Sequence, residues 1–266
     1  MLITLLTDFG TTDYFVGAMK GAILSVNPEA RIFDLTHEIP PHDIHAAAFT
    51  LLASYKTFPP ATIHVAVVDP GVGSSRRPLL VSVGGQFLIG PDNGLFSFFF
   101  YNYDASVRVY HLTSEQYFRH PVSTTFHGRD IFAPVAGALS KGVGPEELGT
   151  EIDDYLRSDL NLPTRKDKDT IEASIIHIDR FGNCITNLTT DDINDEMFER
   201  GARILINDVE ITELRRFYAQ KDDGSGSLFV IWGSAGFLEI VAYLDSAQRR
   251  LGVERGQRFL LISAKE

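Results

Sequence analysis

The stretch "TIHVAVVDPGVGSSRR", Thr62 to Arg77, joins a short apolar run to a glycine-rich turn. The run is rich in β-branched residues and ends at Asp69, which predicts a buried strand. Asp-Pro-Gly is turn chemistry, and Gly71 and Gly73 allow the backbone to turn tightly beside a ligand. Two arginines close the turn. The sequence therefore places an acid and a base at opposite ends of one loop that follows a strand.

Around this stretch, the first half of the chain alternates apolar runs with helical patterns. We predict strands at "LITLLTD", "RIFDLT", "TIHVAVVD", "LLVSVG" and "QFLIG", and helices over Asp13 to Val26, Asp43 to Ser54 and Asp130 to Ser140. The last two strands follow each other closely enough to form an antiparallel pair. The alternation predicts an α/β domain with a mostly parallel sheet flanked by helices, over residues 1–160.

The polar segment "RSDLNLPTRKDKD", Arg157 to Asp169, is typical of a linker. After it, the alternation of strand and helix patterns gives way to strand-like runs. Beyond it lie the strand-like runs "IEASIIHID", "ARILIND", "SLFVIWG", "FLEIVAY" and "FLLIS", with one short helix near Asp191 to Arg200. These runs predict a smaller, all-β, barrel-like domain over residues 170–266.

The composition favours a soluble globular protein with a small-molecule partner. Of the 266 residues, 44% are hydrophobic and 22% are charged, and the net charge of -11 argues against nucleic-acid binding. Cys184 is the single cysteine, which excludes an intramolecular disulfide or a cysteine zinc cluster and predicts a cytoplasmic location. No window approaches the roughly 20 apolar residues of a membrane-spanning helix, so we expect no membrane partner.

Polar motifs follow the predicted strands, at the ends where ligands bind in sheets of this kind. They are "TDFGTTD", "LTHEIPPHD", "VDPGVGSSRR" and "GPDNG". A fifth motif, "TTFHGRDIFAP", places His127, Arg129 and Asp130 before a helix whose N-terminus Asp130 is suited to cap. Each motif alone is ordinary turn or capping chemistry. Their shared location at one edge of the sheet favours a functional site.

Motifs of common cofactor-binding and hydrolase families are missing. "GVGSSR" lacks the third glycine of a dinucleotide fingerprint, and the chain has no lysine-bearing phosphate loop, G-x-S-x-G elbow or His-Glu-x-x-His. His37, Asp92, His127 and Asp130 are residue types that bind divalent metals, but they are scattered without diagnostic spacing. We therefore predict neither a cofactor nor a metal.

Taken in order, "TDFGTTD", "DPGVG", "RR", "PDNG", "FHGRDIFAP", "IDRFGN" and "GSAGFLEI" resemble the motifs of the S-adenosyl-L-methionine (SAM) hydroxide adenosyltransferases, or SAM hydrolases. The resemblance runs nearly end to end, and the family is related to fluorinating and chlorinating enzymes. It implies hydrolysis of SAM to adenosine and L-methionine without a cofactor. It also implies a homotrimer, with each active site between the N-terminal domain of one subunit and the C-terminal domain of the next.

The resemblance further implies which residues form the site. Asp69, Arg76 and His127 match the family residues that position and activate the attacking water. The implied substrate-binding residues are Asp8, Asp13, Phe126 and Gly128 in the N-terminal domain, and Asp179, Phe181, Asn183 and Ser234 from the neighbouring subunit.

Four of these substrate-binding residues have chemistry that suits one part of SAM. Asp8 is suited to the ribose hydroxyls, and Asp179 is suited to the methionine ammonium. Phe181 is suited to stacking on adenine. Asn183 offers both a donor and an acceptor to the adenine edge.

Three alternatives compete with SAM hydrolysis. A halide-dependent adenosyl transferase is disfavoured because Asp69 would repel a halide and because only "GGQ" joins two strands where fluorinating relatives carry an insertion. The others are a non-catalytic SAM or adenosine binder and a metal-dependent phosphatase or nucleosidase.

Two further positions differ from the implied site. Ala242 and Tyr243 depart from the polar residues that the resemblance leads us to expect at an adenine contact. We expect Arg77 to be a solvated neighbour of Arg76.

Overall fold

The computed structural model describes residues 1–103, 106–221, 224 and 226–264. The chain divides into two compact units, Met1–Ser158 and Asp159–Glu266. Within the described ranges, no helix combines the length and the apolar composition needed to cross a membrane.

The first unit consists of one sheet with helices packed on both faces. Its strands are β1 (Leu2–Thr7), β2 (Arg31–Thr36), β3 (Ile63–Val67), β4 (Pro78–Val83), β5 (Gln86–Pro91), β6 (Arg108–Leu112) and β7 (Gly149–Ile152). Its helices are α1 (Phe15–Val26), α2 (Ile44–Tyr55), α3 (Ser97–Tyr103), α4 (Ala133–Ser140) and α5 (Pro145–Leu148).

The sheet of the first unit is mixed, with the strand order β2-β1-β3-β5-β4-β6-β7. The pairs β1–β2, β1–β3 and β3–β5 are parallel, whereas β4–β5, β4–β6 and β6–β7 are antiparallel. The prediction of a mostly parallel sheet is therefore wrong for the second half. Gly84 and Gly85 cause the change, because both have positive φ, 57° and 76°, and form a two-residue hairpin that sends the chain straight back.

Successive residues of the central strands face opposite sides of this sheet. Leu5 and Val65 pack in a core with Met19 of α1, whereas Leu6 packs in a second core with Leu51 of α2. Because both faces are covered, these strands are apolar at nearly every position rather than at every second one. The polar residues that follow them are thereby fixed at the sheet edge.

The second unit is a β-rich body around its own core. Its strands are β8 (Thr164–Arg165), β9 (Thr170–Ile178), β10 (Cys184–Thr189), β11 (Arg203–Ile206), β12 (Val209–Ile211), β13 (Leu214–Arg215), β14 (Leu228–Trp232), β15 (Phe237–Ala242) and β16 (Arg258–Ile262). The helices α6 (Asp195–Glu199) and α7 (Ala247–Leu251) are short. The strand order is β12-β11-β16-β9-β10-β15-β14-β13, with β8 beside β9, and the sheet curls into a half-barrel.

The helix predicted from Asp130 begins later, because a π-helical turn over Gly128–Phe132 precedes α4. Asp130 is fully buried in this turn and does not cap the helix. Its carboxylate accepts hydrogen bonds from Arg129 Nε at 2.7 Å, Arg119 Nη1 at 3.2 Å and the Ser123 backbone at 2.9 Å. The N-cap prediction is therefore wrong, since Asp130 instead ties the preceding loop to the turn.

Candidate active site

Two neighbouring parallel strands bring two of the predicted motifs to one edge of the first unit. β1 and β3 pair with Thr7 opposite Val67. The loops that begin at Asp8 and at Val68 therefore leave the sheet side by side.

Asp69 and Arg76 form a bidentate ion pair across the second of these loops. Arg76 Nε donates to Asp69 Oδ1 over 2.9 Å, and Arg76 Nη2 donates to Asp69 Oδ2. Only 8% of the arginine side chain and 5% of the aspartate side chain are exposed. Removing either partner would leave an uncompensated buried charge, so the loop holds this pair in a fixed geometry.

His127 completes the group from a distant part of the chain. Arg76 Nη2 lies 2.7 Å from His127 Nδ1. Because a guanidinium only donates, Nδ1 is the acceptor and the proton of the neutral ring is on Nε2. Burial, followed by the charge of Arg76, lowers the pKa of His127 and favours this neutral form. We call Asp69, Arg76 and His127 the Asp–Arg–His cluster.

One hydrogen-bond donor of the Asp–Arg–His cluster is open. Arg76 Nη1 is buried and has no hydrogen-bond partner among the described residues. The guanidinium also lies over the ring of Phe132, 5.4 Å from its centroid, which restrains its plane. A buried donor without a partner costs about 1–3 kcal/mol, so a water or substrate oxygen bound here would be stabilised.

The loop that carries Asp69 and Arg76 is shaped by short-range hydrogen bonds and one glycine. The Val72 backbone donates to Asp69 O and the Ser74 backbone donates to Gly71 O, over 3.2 and 3.1 Å. Gly73 has a φ of +78°, and a Cβ there would lie 2.2 Å from Thr124 O. Glycine therefore lets the loop pack directly on the segment that leads to His127.

Aromatic rings surround Phe126, the residue before His127. The ring centroid of Phe126 lies 6.0 Å from that of Phe9, 5.3 Å from that of Phe15 and 6.4 Å from that of Tyr14. Phe126 is only 6% exposed. The segment that leads into the Asp–Arg–His cluster is therefore packed among apolar rings.

The other predicted residues of the first unit differ in their surroundings. Asp8 Oδ2 accepts a hydrogen bond from the His42 backbone at 2.8 Å, and the Asp8 side chain is 9% exposed. Gly128 is buried, and a Cβ there would lie 3.2 Å from Met19 Sδ. Asp13 is exposed in the bend before α1. The structure thus places Asp8 at the same sheet edge as Asp69 and leaves Asp13 on the surface.

Asp179, Phe181 and Asn183 form one tight turn between β9 and β10 in the second unit. Asp179 Oδ1 accepts from the backbones of Phe181 and Asn183, over 2.8 and 2.9 Å, and Asp179 Oδ2 accepts from Asn183 Nδ2 over 2.9 Å. Gly182 has a φ of +83°, as the turn requires. One of the two N–H donors of the Asn183 amide is therefore already used by Asp179.

This turn lines an open cavity of ≈ 590 Å³ in the second unit. Phe181 and Leu244 stand at its surface, 77% and 80% exposed. The cavity is also lined by Tyr218, Ala242, Tyr243 and Arg249. Sequence reasoning missed Tyr218 and Arg249, because neither lies in a motif: Tyr218 follows β13 and Arg249 lies on α7, both far along the chain from Asp179. Ser234 does not line this cavity and is exposed in the turn between β14 and β15.

A second carboxyl faces Asp179 from β15. Burial, followed by the charge of Asp179, raises the pKa of Glu239 to about 7. The Glu239 carboxyl packs against the backbone next to Ser234, since a Cβ on Gly233 would lie 1.8 Å from Glu239 Oε1. The turn that carries Ser234 therefore packs against Glu239, the carboxyl whose pKa the charge of Asp179 also raises.

Arg77 is not the solvated neighbour that the sequence predicted. Its Nε and Nη2 donate to Asp92 Oδ2 over 3.0 and 2.8 Å, and its Nη1 donates to Asp154 Oδ1 over 2.6 Å. The two adjacent arginines thus belong to separate ion-pair networks. In the described part of the chain, no group of three or more histidine, cysteine, aspartate or glutamate side chains is arranged to hold a metal ion.

Known proteins match this chain along most of its length. Curated relatives named (R)-S-adenosyl-L-methionine hydrolase include one from Methanocaldococcus jannaschii, 36% identical over 95% of this chain and 92% of the relative, and one from Thermus thermophilus, 32% identical over 97% and 98%. A fluorinase from Actinoplanes sp. is more distant, at 23% identity over 90% of both chains.

Solved structures and family models agree with these relatives. A crystal structure of a conserved protein from Thermotoga maritima superimposes with a TM-score of 0.88 at 31% identity, covering 98% of this chain and 100% of that one. The N-terminal domain model of the SAM hydroxide adenosyltransferases matches residues 3–149, and the C-terminal domain model matches residues 173–260. The chain therefore belongs to the SAM hydroxide adenosyltransferase family.

Proposed function

We propose that this protein hydrolyses SAM to adenosine and L-methionine. The observation that carries the proposal is the buried Asp–Arg–His cluster, in which a carboxylate, a neutral imidazole and an open guanidinium donor meet. Binding adenosine or SAM would not require such a group. The substrate follows from the family and from the names of the relatives, which specify the (R) epimer of SAM.

The proposed reaction is an in-line displacement at the ribose C5′. The water oxygen forms a bond to C5′ while the C5′–S bond breaks and its electron pair returns to sulfur. The leaving group is the neutral thioether of methionine and needs no acid. The barrier lies with the nucleophile, since water has a pKa of about 15.7 and an ordinary aspartic acid one of about 3.9.

The proton moves to Asp69 as the C–O bond forms, because full transfer beforehand would cost about 16 kcal/mol for a gap of about 12 pK units. Each Asp69 oxygen accepts one hydrogen bond from Arg76 and keeps a further lone pair. The carboxylate can therefore take the proton while it stays bound to the guanidinium. This is general base catalysis within a single step.

Arg76 and His127 orient the water in this mechanism. The open Nη1 of Arg76 donates to the water oxygen, and the Nε2–H of His127 is a second donor for developing hydroxide character. Charge is neutralised in the transition state, because an anion-like nucleophile approaches a positively charged sulfonium. Apolar surroundings stabilise this transition state relative to the separated charges. The packed rings around Phe126 supply such a surrounding.

The second unit supplies the remaining substrate contacts in this proposal. Asp179 binds the methionine ammonium, Phe181 stacks on adenine and Ser234 contributes from the β14–β15 turn. Because Asn183 Nδ2 donates to Asp179, the amide presents its Oδ1 as an acceptor for the exocyclic amino group of adenine. In the first unit, Asp8 binds the ribose hydroxyls, and Asp13 and Gly128 border the substrate.

The proposal includes a homotrimer in which the first unit of one copy and the second unit of the next form each site. Phe181 and Leu244 are exposed at the rim of the cavity. Exposed apolar groups around a cavity mark binding surfaces, which supports a contact of this rim with the neighbouring copy. The absence of a cofactor and the cytoplasmic location stay predictions.

Hydrolysis in water enriched in heavy oxygen tests the reaction. We expect adenosine that carries the label on its 5′ oxygen, faster turnover of the (R) epimer than of the other sulfonium epimer, and no loss of rate with a chelator. Unlabelled adenosine, or 5′-halogenated adenosine formed at a comparable rate from added halide, would contradict the proposal. Loss of activity with the chelator would favour the metal-dependent alternative.

Mixing two impaired variants tests the assembly, with activity measured at a SAM concentration far below the raised KM expected for the second variant. Asp69→Asn and Asn183→Ala chains are co-expressed, so that random association pairs intact halves in roughly a quarter of the sites of a trimer. We expect activity to return to about that fraction, and a molar mass of three chains in solution. A monomer, or mixed oligomers without activity, would contradict this arrangement.

A further inference from the structure

The motif "GPDNG" begins with the last two residues of β5 and ends at the same sheet edge as the Asp–Arg–His cluster. The mechanism above leaves it without a role. We propose that Asp92 and Asn93 of this motif are positioning residues that hold the two ends of the loop carrying Asp69 and Arg76. This inference rests on the proposed function, because positioning matters only if the cluster performs the chemistry.

The first contact lies at the entrance of the loop. Asn93 Nδ2 donates to the backbone oxygen of Val68 over 2.8 Å. Val68 is fully buried and directly precedes Asp69. The amide of Asn93 therefore fixes the peptide from which the Asp69 side chain departs.

The second contact lies at the exit of the loop. The Asp92 backbone donates to the backbone oxygen of Arg77 over 2.9 Å. The Asp92 carboxylate accepts two hydrogen bonds from the Arg77 guanidinium, over 3.0 and 2.8 Å. Arg77 directly follows Arg76, so Asp92 fixes the residue next to Arg76 and the peptide by which the chain enters β4.

Two adjacent residues thus set the separation of the loop ends. Between those ends, the described backbone hydrogen bonds of the loop are local turns that span three residues. The distance from Asp69 to Arg76 therefore depends on the spacing between Val68 and Arg77, which the rigid pair Asp92–Asn93 imposes.

The motif is itself anchored firmly. Asp92 Oδ1 accepts from the Leu156 backbone over 2.8 Å, and 7% of the Asp92 side chain is exposed. Gly94 has a φ of +95°, and a Cβ there would lie 1.9 Å from Ser158 Oγ. The turn is therefore seated against the segment that follows β7 and cannot shift without breaking these contacts.

The polar groups of the motif are used within the protein. Both Asp92 oxygens accept hydrogen bonds, and Asn93 Oδ1 accepts from the Leu95 backbone over 3.3 Å while its Nδ2 holds Val68. This arrangement suits a positioning role rather than contact with SAM.

The test uses Asn93→Asp, which keeps the shape but replaces the donor with an oxygen that repels Val68 O. We expect kcat to fall by about 10- to 100-fold, because misplacement by about 1 Å costs on that order, while KM for SAM and the Kd for adenosine stay within about twofold. Asp92→Asn, which weakens the hold on Arg77, should give a smaller loss of the same kind. The control is Asp154→Asn, which changes an exposed partner of the Arg77 side chain and leaves the hydrogen bonds to the backbone oxygens of Val68 and Arg77 intact.

A second readout follows the geometry without turnover. The charge of Arg76 contributes to the lowered pKa of His127, so NMR titration of His127 should show that pKa closer to its ordinary value in Asn93→Asp and unchanged in Asp154→Asn. Unchanged kcat together with an unchanged titration of His127 in folded Asn93→Asp and Asp92→Asn would overturn the inference. An equal rise in KM for SAM and in the Kd for adenosine would also overturn it, because it would indicate direct contact with the substrate. Failure of the wild-type protein to cleave SAM would remove the proposed function but leave this titration test standing.

Discussion

The Asp–Arg–His cluster of the first unit is buried and cross-linked, whereas the predicted substrate residues of the second unit surround an open cavity. In the cluster, both carboxylate oxygens and two of three guanidinium nitrogens are already bound within the chain. In the second unit, Phe181 and Leu244 are largely exposed at the cavity rim.

The difference fits the roles that we propose for the two regions. Stabilising charge in a transition state requires groups that are oriented before the reaction, and burial makes their interactions stronger. Binding adenine requires apolar surface that is exposed until the ligand covers it. We therefore expect substitutions in the cluster to change kcat and substitutions at the cavity rim to change KM.

Asp69→Asn should give the largest effect. The amide keeps the size of the carboxylate but cannot take the proton, and general base catalysis contributes about 10²- to 10⁴-fold. We expect kcat to fall by at least about 100-fold, with the Kd for adenosine within about threefold. Adenosine release is measured by chromatography. Asp34→Asn serves as a control, because Asp34 lies on the partly exposed strand β2, where its carboxylate pairs with Lys20 of α1. A variant that keeps more than a tenth of the wild-type rate would contradict the role of Asp69.

The resemblance to the SAM hydroxide adenosyltransferases supplied the three members of this cluster, whereas the positions of the motifs indicated only a shared location at one sheet edge. Asp69 and Arg76 are separated by one short loop, so their pairing is a local property of the sequence. His127 joins them from 51 residues beyond Arg76. The alternating strands and helices of the first half predicted the shared sheet edge, and the resemblance predicted that His127 belongs to the same site.

Other contacts depend on the register of distant elements and were not predicted. Arg77 reaches Asp154, 77 residues away, and no local pattern distinguishes it from a solvated arginine. Asp130 has the typical position of a helix cap, but it is buried and instead accepts hydrogen bonds from Arg119, Ser123 and Arg129. The mixed sheet follows from Gly84 and Gly85, which the sequence identified as a short turn without showing where β5 would insert.

Phe181→Ala should separate binding from chemistry at the cavity rim. Losing the stacking surface for adenine should raise KM for SAM roughly 10-fold, which corresponds to about 1.4 kcal/mol, with kcat within about twofold. Because the side chain is 77% exposed, the melting temperature should not change. Phe217→Ala is the matched control, since Phe217 is exposed in the same unit but lines a different cavity. A fall in kcat with unchanged KM would show that the two regions do not divide the work in this way.

The smallest expected effect concerns the carboxyl that faces Asp179. The pKa of Glu239 is raised from an ordinary 4.5 to about 7 in the folded protein. Between these values the folded state binds more protons than the unfolded state, so the free energy of unfolding falls as the pH rises through this window. Glutamine resembles the protonated acid and does not ionise. Glu239→Gln should therefore melt like the wild type at pH 5.

At pH 8 the same variant should melt higher by roughly 2–4 °C, the change that about 1 kcal/mol produces in a chain of this size. Glu213→Gln is the control of opposite sign. The hydrogen bond from Arg215 lowers the pKa of Glu213, so its ionised form stabilises the fold at pH 8. That variant should melt lower than the wild type at pH 8, and the difference should shrink as the pH falls below the ordinary pKa of glutamate. Equal shifts of Glu239→Gln at both pH values would show that Glu239 is ionised in the folded protein throughout, and that the surroundings of its carboxyl are more hydrated than the burial of Glu239 indicates.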